Sequence, residues 1–302
     1  MAKQIITVLC EGPHDVAFIT KILKTQGFKS NENIKIGDYP SPINKLLISE
    51  VTKTNVEELN LQEVRQALLP SNTLQRNNDY LFLYSMGGDS KILANSQSIL
   101  REFVSFIPKE EGGFDEALPT GTHLSLLYFL DADNKGISRR IEELNNEIYR
   151  NFEVRPIRNH KAVANFNSIK LGAFVFTGSD NATGKLEDIL MPLMIRDNET
   201  IFSHAESYLN DYFDDTRLFP MKLRVNDAGE LYEERSERPR DKLKYDELKS
   251  RIGIVGQLQK SGSNNVVCIG QTDYLTLEKI QSNAKCQEII AFFETFLVEN
   301  TA

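Results

Sequence analysis

Apolar residues fall into two rhythms along this chain. Four short runs, IITVLC (5–10), YLFLYS (80–85), HLSLLYFL (123–130) and GAFVFT (172–177), are apolar at nearly every position. That is the pattern of strands buried on both faces, as in a parallel sheet covered by helices. Each run is followed by a stretch with helical spacing. DVAFITKILKTQG carries Val16, Ile19, Ile22 and Leu23 on one face and stops at Gly27 as a glycine C-cap. SKILANSQSILREFVSFI follows the second run, ISRRIEELNNEIYRNF the third and LEDILMPLMI the fourth. Strand and helix in alternation predict an α/β fold, with a mostly parallel sheet and helices on both faces.

Two stretches interrupt the alternation. Residues 38–78 are punctuated by Pro and Asn and hold one predicted helix near 60–69, so they read as an insertion. Residues 224–247 are densely charged with few apolar positions and predict an exposed loop or hairpin. Beyond them, NNVVCIG (264–270) reads as a further strand, and LEKIQSNAKCQEIIAFFETFL (277–297) as one terminal amphipathic helix. The expected organisation is a single elaborated domain. Its core lies at about 3–37 and 79–180, the insertion at about 38–78, and a C-terminal extension at about 181–302.

Composition narrows the function classes. The chain has 302 residues, 40% of them hydrophobic, enough for a substantial core. It holds no apolar stretch of the roughly 18 residues that a membrane helix needs, and its N-terminus carries no signal-sequence pattern, so a cytoplasmic protein is expected. Cys10, Cys268 and Cys286 match neither a disulfide framework nor a zinc site. A net charge of -8 and a pI near 5.2 argue against non-specific coating of nucleic acid, which needs a broad cationic surface. They leave a metal-dependent nuclease open, because such a site is itself acidic.

The candidate chemistry lies where the apolar runs end. The first stops on Glu11 and restarts through Gly12-Pro13 into a helix bearing Asp15; the third runs into Asp131 and Asp133. Ligands of open α/β sheets gather beyond the carboxyl ends of parallel strands, which puts both acid groups at one edge. On extended backbone, Asp131 and Asp133 point the same way and could share one hard cation. Four crowded carboxylates repel, and a divalent cation with oxygen ligands is the usual compensation.

Glu11-Gly12-x-x-Asp15 after the first strand, Gly87-Gly88 after the second and Asp131-x-Asp133 after the third resemble the signature of the Toprim domain. That domain is shared by topoisomerases, bacterial primases, recombination mediators and overcoming-lysogenization-defect (OLD) nucleases. The core resemblance covers residues about 3–150. GKLEDILMP (184–192) and GQLQKSG (256–262) are similar to the C-terminal parts of stand-alone Toprim proteins related to the OLD nucleases. The chain lacks the length for a topoisomerase gate, the cysteines for a primase or mediator zinc module, and the phosphate-loop motif of an OLD ATPase.

The resemblance implies a Toprim-like, Rossmann-like sheet and Mg²⁺- or Mn²⁺-dependent phosphoryl transfer on DNA or RNA, in the first place a nuclease. Glu11 would serve as general acid/base or bridging ligand, and Asp131 with Asp133 would hold the first metal. Asp15 would hold a second, with Glu187 or Asp188 as a further ligand. Lys91 or Lys185 would neutralise developing charge, and Gly12, Gly87 and Gly88 would admit a close phosphate. A separate ATPase and a second copy of the chain are the protein partners it suggests, with no membrane involved.

Two other readings stay open. One is a non-catalytic regulatory protein that binds nucleic acid or phosphate at the same metal site; the other is a small-molecule phosphohydrolase with Asp131 as nucleophile. Plain structural readings also compete. Glu187 and Asp188 suit the first turn of a helix, His14 reads as a solvated loop histidine, and His123, His160 and His204 are scattered without assigned chemistry. The charged residues Arg235, Arg238, Arg240, Lys242 and Lys244 alternate with acids as a solvated face does.

Overall fold

The computed structural model describes residues 3–52, 69–107 and 118–297. These form two compact units, residues 1–193 with 275–302, and residues 194–274.

The first unit is built on a seven-stranded sheet of order β2-β3-β4-β1-β5-β7-β6. Its strands are β1 (Lys3–Cys10), β2 (Lys29–Ser30), β3 (Asn72–Arg76), β4 (Asp79–Ser85), β5 (Thr122–Asp131), β6 (Val163–Phe166) and β7 (Ile169–Phe176). The four apolar runs are the central strands β4, β1, β5 and β7, and all three pairings among them are parallel. The flanking β2, β3 and β6 are antiparallel. Parallel alignment brings every central strand to the same edge, with Cys10 level with both Ser85 and Phe129, and Asp131 level with Phe176.

Helices cover both faces. α2 (Ile43–Thr52), α3 (Asp89–Ser105) and α4 (Ile137–Phe152) pack on the face carrying Ile5, Leu9, Phe82, Tyr128 and Val175. α1 (Pro13–Thr25) and the C-terminal α10 (Ala284–Glu294) lie on the other. There Phe129 stacks on Phe174 at 5.5 Å and on Phe293 at 5.4 Å between ring centroids, pairs that add to their burial energy. A side chain at Gly172 would collide with this helix, its Cβ falling 2.9 Å from Phe292 Cζ. α5 (Leu186–Ile195) follows β7, and α9 (Leu277–Ser282) precedes α10.

The second unit carries α6 (Glu199–Tyr212), a hairpin of β8 (Met221–Val225) and β9 (Leu231–Arg235), α7 (Glu247–Gln259) and α8 (Asn265–Gln271). Its interior joins Phe202 edge-on to Tyr274, while the Tyr274 hydroxyl donates to the Val255 carbonyl at 3.1 Å.

Three expectations need correction. NNVVCIG is a helix rather than a strand. The Asn264 side chain accepts from Val267 N–H at 2.9 Å, and Gly256 lets Cys268 pack close, so an N-cap and tertiary contact override the β-propensity of two valines. The terminal helix is two helices, because Asn283 leaves helical geometry and caps α10 by accepting from Cys286 N–H at 3.0 Å. The stretch 38–78 is more than an insertion, since β3 pairs with β4 along the sheet. The helix expected near 60–69 lies almost wholly outside the described residues. The charged 224–247 stretch does contain a hairpin strand, β9.

Candidate active site

The loops that leave β1, β4, β5 and β7 meet at one edge of the sheet. Gly88 N–H donates to the Glu11 carbonyl at 2.7 Å and Met86 N–H to the Cys10 carbonyl at 2.9 Å, so the loop after β4 is bound to the loop after β1. Gly87 and Gly88 have φ of +89 and +96, a backbone that side chains rarely adopt, and Gly88 caps the start of α3. Across the sheet, Asp133 and Gly184 exchange backbone hydrogen bonds of 2.6 and 2.9 Å, which fixes the β5 loop against the start of α5.

These connections gather the acids. The Glu11 carboxylate lies beside Asp131: its Oε1 accepts from Asp131 N–H at 3.0 Å and from the guanidinium Nη2 of Arg140. Asp15, in the first turn of α1, accepts from Gly12 N–H at 2.7 Å and so satisfies the backbone donor of the residue that precedes the helix. Asp131 Oδ1 accepts from Leu186 N–H at 2.8 Å at the first residue of α5, where backbone donors and the helix dipole favour an acceptor. Glu187, 1% exposed, contributes the fourth carboxylate, with Oε1 3.2 Å from His14 Nδ1.

The electrostatic outcome is uneven. Burial, followed by the charges of Asp15, Glu11 and Glu187, pushes the Asp131 carboxyl up to about 9 against one opposing hydrogen bond from Leu186. Burial and the same neighbours Asp15 and Glu11 also raise the Cys10 thiol, so Cys10 is no nucleophile here. Arg140 is a fixed cation beside Glu11. It is 1% exposed, sits in the first turn of α4, and also binds Glu143 Oε2 at 3.1 Å.

The other candidates sort by position. Asp188 accepts from Lys185 N–H at 2.8 Å and so caps α5, whereas Glu187 faces the acid group. Asp133 has φ of +48, so extended backbone ends at Asp131 and the expectation that the two aspartates point alike from a strand fails. Lys91 is exposed, with its side chain against Gly87. Lys185 is half-buried at the start of α5. His14 is not a solvated loop residue: it occupies the first turn of α1 beside Glu187, its side chain 19% exposed. Arg140 was not foreseen, although a cation in a first helical turn opposes the helix dipole and signals a nearby acid.

Residues 6–227 match the model of a family described as "Protein of unknown function (DUF3226)". The chain belongs to that family. The DUF3226 match takes in Glu11, Asp15, Asp131, Arg140 and Glu187 together, and its description assigns no activity. No curated protein matches the chain. Among solved structures it is similar to the crystal structure of hypothetical protein PH0156 from Pyrococcus horikoshii OT3. That similarity has 13% identity and a TM-score of 0.44, over 98% of this chain and 95% of that one.

The acid group of this DUF3226 chain suits a hard divalent cation in donor type and in charge. The carboxylates of Asp15, Glu11 and Glu187 surround that of Asp131, and oxygen ligands are what Mg²⁺ and Mn²⁺ take. Among the described residues, no three His, Cys, Asp or Glu side chains are set out as a metal-holding group.

Proposed function

We propose that the protein is a cytoplasmic Mg²⁺- or Mn²⁺-dependent phosphodiester hydrolase of Toprim type, acting on DNA or RNA. The observation that carries this reading is the convergence of Asp131 with Glu11, Asp15 and Glu187 beyond the carboxyl ends of parallel strands. In this reading Glu11, Asp131, Asp15 and Glu187 would hold the cation. A bound divalent ion supplies charge stabilisation for the phosphoryl oxygens and a more acidic water.

The chain's own groups do the rest. Arg140 and the Asp131 N–H fix the orientation of Glu11, which then can take a proton from an attacking water. The Gly87-Gly88 turn presents backbone without side chains, suited to close approach of a phosphate. Lys91 and Lys185 bring positive charge to the same edge. No helix is long and apolar enough to cross a membrane among the described residues.

The test incubates labelled single- and double-stranded DNA and RNA with the protein and Mg²⁺ or Mn²⁺, beside Glu11→Gln and Asp131→Asn. Metal-dependent cleavage that falls by about a hundredfold or more in both variants is expected, the range for loss of a general base or charge-stabilising group. Equal cleavage by all three proteins refutes the assignment. Binding of nucleic acid and metal with no cleavage transfers it to a non-catalytic regulatory protein.

A further inference from the structure

The second unit carries open aromatic rings beside a charged cleft. On α6, Tyr208 and Tyr212 stand one turn apart with ring centroids at 5.0 Å, and they are 57% and 69% exposed. Phe213, where the chain leaves the helix, stacks on Tyr245 at 4.1 Å, and these rings are 43% and 37% exposed. A run of large open rings is the mark of a contact surface rather than of a core. The chain then turns through Asp215–Leu218, and Arg235 of β9 reaches back to that turn, its Nη1 donating to the Thr216 carbonyl at 2.8 Å. Leu243 N–H donates to the Leu218 carbonyl at 2.8 Å and Ser236 N–H to the Pro220 carbonyl at 3.1 Å. Rings and hairpin are thereby tied into one surface.

A cleft of about 420 Å³ opens at the hairpin, where four cations, Lys222, Arg224, Arg235 and Arg238, face three carboxylates. Glu234 pairs with Arg224 at 3.1 Å, while Asp241 accepts from the Ser236 hydroxyl at 2.6 Å and has Lys222 Nζ 3.8 Å from the same oxygen. The Ser236 hydrogen bond, against desolvation, and then the charges of Lys222, Arg240 and Arg238 hold the Asp241 carboxyl below its usual range. Positive charge prevails here on a chain whose net charge is -8.

We propose that this surface of the second unit binds single-stranded nucleic acid, the rings of Tyr208, Tyr212 and Phe213 stacking on bases and the cleft holding backbone phosphates through Arg235 and Arg238. Every base has a face that stacks on an aromatic ring, so such a platform tolerates any sequence. In a duplex those faces are already covered by neighbouring bases. The planar fork of arginine matches phosphate oxygens two at a time. The choice of nucleic acid over another polyanion rests on the substrate reading above, whereas none of these residues belongs to its acid group.

The test follows the fluorescence anisotropy of labelled oligothymidylate and oligouridylate in EDTA, where binding is read apart from metal-dependent cleavage, across a salt series and beside a duplex of matched length. The proteins are the full-length wild type, Tyr212→Ala, Arg238→Gln and, as a charge control on the first unit, Arg150→Gln. All three positions are exposed, so the variants keep the fold. Wild type binds the single strands more tightly than the duplex. Tyr212→Ala weakens that binding about fivefold or more with its salt dependence kept. Arg238→Gln lowers the slope of log affinity against log salt by about 0.7, and Arg150→Gln binds as wild type does. Equal affinity for the duplex, binding that neither variant alters, or a loss in Arg150→Gln as large as in Arg238→Gln overturns the proposal. So does self-association that Tyr212→Ala abolishes while no oligonucleotide binds at about 0.1 mM protein, a result that makes the rings a contact between copies. Cleavage in Mn²⁺ without this pattern of binding removes the inference alone. The pattern without cleavage keeps it and removes the hydrolase reading, and neither binding nor cleavage removes both.

Discussion

Replacing Asp131 by Asn in metal-free protein should stabilise the fold at neutral and alkaline pH. Asp131 sits with three other carboxylates, and burial with their charges raises its own carboxyl to about 9. An aspartate in the unfolded chain titrates near 3.9. Between those values the folded state keeps a proton that the unfolded state has released, so wild-type stability falls as pH rises, by at most about 1.4 kcal/mol per unit. Three units separate the unfolded value from neutrality, which sets a ceiling of about 4 kcal/mol at pH 7. Relaxation and water entry reduce this, and we expect about 1 to 3 kcal/mol. Asparagine keeps an oxygen for the Leu186 N–H, 2.8 Å away in the wild type, and has nothing to ionise. Urea unfolding in EDTA, followed by circular dichroism at about pH 5, 6.5 and 8, measures the difference between the two proteins. The advantage of Asp131→Asn should be small near pH 5 and grow with pH. A difference that stays constant across that range would falsify the protonated state of Asp131 and, with it, the electrostatic description of the site.

Glu11→Gln changes the same site in the opposite direction, because it leaves the buried Arg140 without that countercharge. A loss of about 2 to 4 kcal/mol is expected, at the low end for a broken buried pair since Asp131 is relieved of one repulsion; unfolding in EDTA checks it, and wild-type stability would contradict it. Phe129→Ala removes the ring stacked between Phe174 and Phe293 and should cost about 3 to 5 kcal/mol in urea midpoint terms. His160 accepts from Val175 N–H at 2.9 Å, and burial followed by the Lys161 charge lowers it to about 4. The unfolded chain takes up a proton near 6.5 that the fold refuses, so stability is lost as pH drops from about 6.5 toward about 4, by less than about 1.4 kcal/mol per unit after solvent screening. His160→Gln should flatten melting temperature over that interval, and an unchanged slope would discount the burial of His160.

The four central strands and the helices that follow them were legible because each apolar run is long, uninterrupted and bounded by Gly, Pro or acids. Helices 137–152 and 186–195 fall where their spacing put them. The edges of the sheet were not legible. NTLQR is mostly polar and VANF is only four residues long, and edge strands need no strong apolar pattern. One signal was available, since Asn167-Ser168 lie between Phe166 and Ile169 with φ of +46 and +63, a two-residue hairpin turn. Of the site, the strand-end acids could be read from Glu11 and Asp131, because parallel strands bring their carboxyl ends together. The choice of Glu187 over Asp188 could not, as it depends on which acid caps the helix. Arg140 lies nine positions past Asp131 in sequence, on the helix rather than the strand, and only its conflict with the helix dipole hinted at an acid partner.

Helix α10 covers the Phe129, Phe174 and Phe176 surface, yet it is the last element of the described chain and the second unit is made before it. During synthesis, those rings wait without their cover while residues 194–274 emerge. Premature termination or a proteolytic cut in that interval would strand an apolar surface on an otherwise complete sheet. Such fragments are expected to be sticky, dependent on chaperones and quickly cleared.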